Sequence, residues 1–227
     1  MQKLHEFWRA FLSLPSAWLL ILQGLILFLS VLATHDLGYR SFTWILGALV
    51  LLVIAKVIKI TPMFTVIGLF FVSGALIFSF LILIGFHAVT IQMIAQAFEA
   101  AAYFSAAYGL LRYMFADRYL TKDELFAAGA VFTLIAWGFA FIYNICQLYD
   151  PASFTKGDVA GFQSWLDLLF LSFSLQSATG LSDILPVTPL VRMFAMIQMF
   201  CGVMYLALIV SRFIALQYIA YLPDHKD

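Results

Sequence analysis

Six stretches of this chain are apolar over lengths that suit a bilayer, near residues 17–33, 41–60, 63–86, 88–115, 125–149 and 189–216. A hydrocarbon core about 30 Å thick is crossed by roughly twenty helical residues. No water satisfies backbone groups at that depth, so a span of this kind closes its hydrogen bonds within itself as a helix. The six prolines, at 15, 62, 151, 186, 189 and 223, all fall at or outside the stretch boundaries, so no predicted helix is interrupted. Composition agrees: 64% of residues are hydrophobic and 11% charged, against about 25% charged in a soluble domain. The expected fold class is all-α, an integral membrane protein in a lipid bilayer. A formal net charge of zero gives no electrostatic footprint for nucleic acid.

Basic residues orient the spans. With the N-terminus inside, Lys3, Arg9, Lys56, Lys59, Arg112, Arg118, Lys122, Arg212 and Lys226 lie on the cytoplasmic side, and Arg40, Lys156 and Arg192 lie outside. This positive-inside bias needs an even number of spans. It predicts a multi-pass protein of the cell (inner) membrane with both termini cytoplasmic. Lys3 and Arg9 before the first apolar run, and Val31 to Ala33 after it, loosely resemble a cleavable signal. The run is long for that role and more spans follow at once, which favours a retained helix.

The interval between the fifth and sixth spans is different in kind. Asp150-Pro151 ends span five, and Ser153 to Gly161 reads as a polar external turret. Residues 162–177 are helical in pattern but too short to cross and return. After them comes a polar, proline-closed segment ending at Pro186, with hydroxyls, an amide, a glycine and a carboxylate between apolar neighbours. Irregular polar backbone at membrane depth survives only where protein buries it or where it lines a wet path. A re-entrant half-helix and loop is the simplest object with those properties. Thr121 with Glu124 reads as a capping box opening span five, and Thr188-Pro189 as an N-cap and first residue of span six.

From about Thr121 to Leu216 the chain resembles the pore module of tetrameric potassium channels, most closely the small bacterial channels with a two-helix pore domain. The likeness rests on Ala136 to Tyr143 (AWGFAFIY) running on to Phe154, on Ser172-Phe173 in the short helix, on Asp183-Ile-Leu-Pro186 after the loop, and on Gly202 to Arg212 (GVMYLALIVSR) in the last helix. The first four spans read as a peripheral four-helix bundle over 1–116, and the resemblance implies a pore module over 117–227. Within the module it implies an outer helix at 125–149, a pore helix at 162–177, a filter at 178–183 and an inner helix at 189–216. It further implies a homotetramer, since one loop cannot encircle an ion, and K+ or Na+ as the permeant ion, with no cofactor and no other metal.

The filter departs from the family. Where the family has Thr-Val-Gly-Tyr-Gly-Asp, this chain has Ala178, Thr179, Gly180, Leu181, Ser182 and Asp183. Backbone carbonyls replace the ion's hydration shell in such filters, and glycines permit the dihedrals that aim them inward. Gly180 retains the first glycine. Ser182 replaces the second, and a left-handed non-glycine residue costs about 1–2 kcal/mol. Either neighbouring contacts hold that form or the outer half of the filter relaxes. Ala178 lacks the hydroxyl of the innermost site, and Leu181 lacks the bracing hydroxyl of tyrosine. Potassium selectivity is therefore expected to be weakened or altered.

Asp183 has two readings: a ring of four carboxylates that concentrates cations at the outer mouth, or a structural hydrogen bond to the back of the pore helix. The pore helix would point its negative dipole end at the cavity, which favours a cation there. Ser172, Ser174, Gln176 and Ser177 are expected to satisfy loop backbone groups. Gly202 is a candidate gating hinge or a point of close helix packing. Glu99 is the one acid deep in spans one to four, with Gln92, Gln96 and Tyr103 at spacings that could share its face. It is a proton-sensing candidate or a protonated structural group. His87 lies too far from it for a metal site. Cys146 and Cys201 sit in apolar runs and read as packed thiols.

Span four contains no arginine between 88 and 111, whereas a voltage sensor needs several at every third position. No catalytic cluster or nucleotide loop is visible, so an enzyme is not expected. The sequence thus reads as a passive cation channel for potassium or mixed monovalent cations. Two alternatives stand beside it: a non-conducting or regulatory channel-like subunit, and a transporter that uses Glu99.

Overall fold

A computed structural model describes residues 15–32, 52, 65–116, 122–157 and 159–220. The described helices are α1 (Pro15–Leu32), α2 (Thr65–Ile84), α3 (Val89–Ala116), α4 (Lys122–Tyr149), the short α5 (Trp165–Gln176) and α6 (Pro189–Ala220). Among the described residues, three stretches are long and apolar enough to cross a membrane: Val66–Ile84, Asp123–Tyr149 and Pro189–Gln217. These coincide with predicted spans three, five and six. Helices α1 and α3 occupy the first and fourth predicted spans; polar Gln92, Gln96 and Glu99 dilute the apolar character of α3. The predicted span at 41–60 lies outside the described residues apart from Leu52, as does Thr121 of the expected capping box.

Helix α4 is the hub. It packs against α1, α3, α5 and α6, while α2 packs on α3. Lipid is as apolar as a leucine side chain, so helices here associate through close contact and hydrogen bonds rather than through expulsion of water. The facing surfaces suit that rule: Ala102, Ala106 and Ala107 of α3 and Ala127, Ala130 and Ala140 of α4 are buried in one apolar cluster. Tyr103 stacks on Trp137 with ring centroids 6.0 Å apart, and the Tyr205 hydroxyl of α6 donates to the Ala128 carbonyl of α4 at 2.5 Å. Toward the C-terminal end of α6, Arg212 donates to the Met114 carbonyl, covers the Phe115 ring and lies 4.0 Å from buried Glu124. That contact joins α6 to the end of α3 and the start of α4.

The all-α expectation missed one small element. The turret contains β1 (Phe154–Lys156) and β2 (Val159–Ala160), and the segment after the loop forms β3 (Ile184–Pro186). The three make an antiparallel sheet in the order β2-β1-β3, with Thr155 opposite Leu185 and Lys156 opposite Ile184. Strands of two or three residues carry too little alternation to announce themselves. Phe154 is fully buried and meets the Tyr143 ring edge-on, which anchors the turret to α4.

Candidate functional site

The short helix α5 begins where its sequence provides a cap. Ser164 accepts from the Asp167 N–H at 3.1 Å and donates to the Asp167 carboxylate at 2.8 Å. This reciprocal arrangement resembles a capping box with aspartate in the third position, and it starts the helix at Trp165 rather than at 162. Twelve residues span about 18 Å at 1.5 Å each, well short of a hydrocarbon core.

The end of α5 sets the loop. Thr179 N–H reaches the Ser174 carbonyl at 3.1 Å, and Ala178 N–H reaches the Leu175 carbonyl at 3.2 Å. That pair of bonds is a Schellman closure, whose first residue beyond the cap is left-handed and most often glycine. Here it is Ala178, with φ +57°, the one described non-glycine residue of positive φ. Gly180 follows at φ +65°. Ser182 is not left-handed: its N–H is held by the Ser174 hydroxyl at 3.1 Å, and its own hydroxyl accepts from Ile184 N–H at 3.1 Å. Strain expected at Ser182 therefore resides four residues earlier, because the helix cap and not the outer half of the loop demands the unusual dihedral.

Three of the loop's amides are turned onto α5. The amides of Thr179 and Gly180 turn to the Ser174 carbonyl and that of Ser182 to the Ser174 hydroxyl. Among the described residues no hydrogen bond ends on the carbonyls of Thr179, Gly180 or Leu181. Ala178, Thr179, Gly180 and Leu181 are exposed, and nothing stands near Gly180 where a Cβ would be.

Behind the loop lies a buried polar network. Gln198, fully buried in α6, accepts from the Tyr143 hydroxyl at 2.6 Å. Its amide nitrogen lies 2.6 Å from the Ser172 hydroxyl, 3.0 Å from the Ser172 carbonyl and 3.2 Å from the Gln176 side-chain oxygen. Ser172 in turn donates to the Ala136 carbonyl at 2.6 Å, and Gln176 to the Phe132 carbonyl at 2.7 Å. Outer helix, short helix and inner helix are thereby fastened through three buried polar side chains. Of the four residues expected to satisfy loop backbone, Ser174 does so directly. Ser172 and Gln176 bond α4 instead, and Ser177 turns back to the Phe173 carbonyl at 2.7 Å.

Residues 129–217 match the family model described as Ion channel. This segment is similar to the ion-channel family over those residues. Comparisons with curated proteins and with solved structures found no match.

Gly202 of α6 is buried where that helix meets the end of α5. A Cβ there would stand 2.9 Å from the backbone carbon of Gln176 and closer still to its oxygen. Close packing thus accounts for the glycine without invoking flexibility. Asp183, exposed at the loop exit, is 3.2 Å from the Lys156 ammonium, which also lies 3.2 Å from Asp167. That partner belongs to neither of the two readings of Asp183. Glu99 stands apart from the loop, on α3: Ser79 of α2 donates to it at 2.9 Å. Tyr103 lies beside it, whereas Gln92 donates to the His87 carbonyl at 2.9 Å.

Two participants escaped sequence reasoning. Gln198 carried a legible signal, an isolated amide in the middle of an apolar helix, since intramembrane polar groups invite a partner. Lys156 carried none beyond its side of the membrane, because its partners are set by the pairing of β1 with β3.

Proposed function

We propose that this chain forms a passive cation channel that conducts potassium or mixed monovalent cations through the loop at 178–183. The observation that carries the reading is the loop's hydrogen-bond economy inside a matched ion-channel segment. The amides of Ala178, Thr179, Gly180 and Ser182 turn toward the short helix, and the carbonyls of Thr179, Gly180 and Leu181 have no partner among the described residues. Carbonyls so placed can stand in for the hydration shell of a cation. The single chain presents one such loop, so conduction calls for four copies around α4 and α6. The exposed apolar side of α6, including Met196, Phe200 and Val203, supplies surface for that assembly and for lipid. Six spans, cytoplasmic termini and an inner-membrane location complete the proposal, with no cofactor and no catalytic step.

The test is a planar-bilayer recording of purified protein in asymmetric potassium and sodium. A cation current with a reversal potential between the two equilibrium values is expected. A reversal fully at the potassium value refutes weakened selectivity, and Leu181→Tyr combined with Ser182→Gly is expected to move it toward potassium. No current from pure protein favours the non-conducting subunit. A flux coupled to protons and abolished by Glu99→Gln favours the transporter.

A further inference from the structure

Lys156 of the turret reaches charged groups at both ends of the re-entrant segment. It ends β1 opposite Ile184, which places it beside Asp183 at the loop exit. Its ammonium lies 3.2 Å from the Asp183 carboxylate and 3.2 Å from the Asp167 carboxylate in the first turn of the pore helix. Asp167 is itself fixed by the Ser164 hydroxyl at 2.8 Å. Three elements distant in function thus bring two carboxylates and one ammonium together at the mouth of the loop.

We propose that Lys156 is a tethered counter-ion of the filter exit: it occupies the Asp183 carboxylate that a permeant cation would otherwise meet, and so sets how strongly the outer mouth gathers cations. This rests on the reading of the module as a cation channel. A lysine suits the role because its ammonium is a compact, hydrated point charge on a flexible stem, close in kind to a monovalent ion. Each chain keeps one carboxylate in excess at the mouth instead of two. The pair is half-exposed, with 48% of the Lys156 side chain and 58% of the Asp183 side chain accessible. An exposed ion pair contributes little to folding, so its consequence lies in the field over the pore entrance. A ring of acidic groups there raises local cation concentration, and Lys156 holds that ring at reduced strength.

The experiment compares wild type, Lys156→Met, Lys156→Arg and Asp183→Asn in planar bilayers. Inward single-channel conductance of Lys156→Met is expected to exceed wild type about two-fold or more at ~0.01 M salt, where the Debye length is about 30 Å, and to converge with it at ~1 M, where it is about 3 Å. Lys156→Arg should behave as wild type, and adding Asp183→Asn should abolish the gain of Lys156→Met. Equal low-salt conductance of wild type and Lys156→Met overturns the proposal. A second measurement needs no current: acylation of the Lys156 amine by an active ester, read by mass spectrometry. The two carboxylates, Asp183 foremost, hold that ammonium protonated, so Asp183→Asn should speed its labelling several-fold. An unchanged labelling rate overturns the bridge. If wild type carries no current, the channel reading fails by itself, and labelling alone then decides whether Lys156 is held by Asp183.

Discussion

Gln198→Leu is the substitution that most directly tests how α4, α5 and α6 are held together. The leucine is apolar and close in length, so it removes bonds without opening a large void. It deprives the Tyr143 hydroxyl of its acceptor at 2.6 Å and the Gln176 oxygen of its donor at 3.2 Å, and it ends both contacts to Ser172. In water-soluble proteins each buried group left unpaired costs about 1–3 kcal/mol. Between membrane helices the measured value is lower, about 0.6 and at most about 1.7 kcal/mol per bond, because the unfolded chain in lipid also finds partners. With two amide hydrogens donated and one bond accepted, the expected loss is about 2–4 kcal/mol per chain. Tyr143→Phe removes one bond and should cost about 1 kcal/mol. The double variant removes both ends of that bond, so it should be less destabilised than the sum by about 0.5–2 kcal/mol. Reversible unfolding in mixed detergent micelles measures all three. Additivity within about 0.3–0.5 kcal/mol would show that Tyr143 and Gln198 do not act as a pair, and the network would lose its claim to hold the helices.

Three further outcomes follow from the same geometry. Ala178→Gly relieves a left-handed alanine at the end of α5 and should stabilise the protein by about 1 kcal/mol; a lower melting temperature would refute the cap geometry. Gly202→Ala drives a methyl into the Gln176 backbone, which cannot yield as a side-chain tip would, and should destabilise by about 1–3 kcal/mol. A neutral result in the melting assay would mean that α6 and α5 are farther apart. For Asp167, burial pushes the carboxyl up, but the Ser164 hydroxyl and the Lys156 ammonium outweigh it and hold it below its ordinary value. Its folded-state affinity for protons is thus weaker than the unfolded one, so its contribution is present above the ordinary carboxylate range and is lost as pH falls through the depressed value. Stability measured against acid pH should fall less steeply in Asp167→Asn than in wild type, and parallel curves would refute the assignment.

Much of the module is legible from residue order. Asp150-Pro151 ends α4 and Thr188-Pro189 opens α6, because proline cannot continue or be entered by a helix except at its first turn. Ser164 with Asp167 was a capping signal of equal clarity, and reading it would have placed the start of α5 correctly. The position of strain was not legible. Ser182 stood where the family has glycine, yet the left-handed residue is Ala178, because the dihedral is imposed by the Schellman closure onto Ser174 and Leu175. The turret sheet was likewise hidden, since β1 finds its main partner about thirty residues later, across the whole re-entrant segment.

Sequence alone determined that the chain lies in a membrane as helices and that a short helix and polar loop interrupt the last two spans. Those conclusions follow from runs of neighbouring residues, where chain length and hydropathy meet the thickness of a bilayer. Tertiary structure alone decided which polar groups meet. Gln198 finds Ser172 across 26 positions and Tyr143 across 55, and Lys156 finds Asp183 only because two strands align. A buried or crowded polar group takes whichever partner the packed helices bring within 3 Å or so, and that distance is a property of the fold.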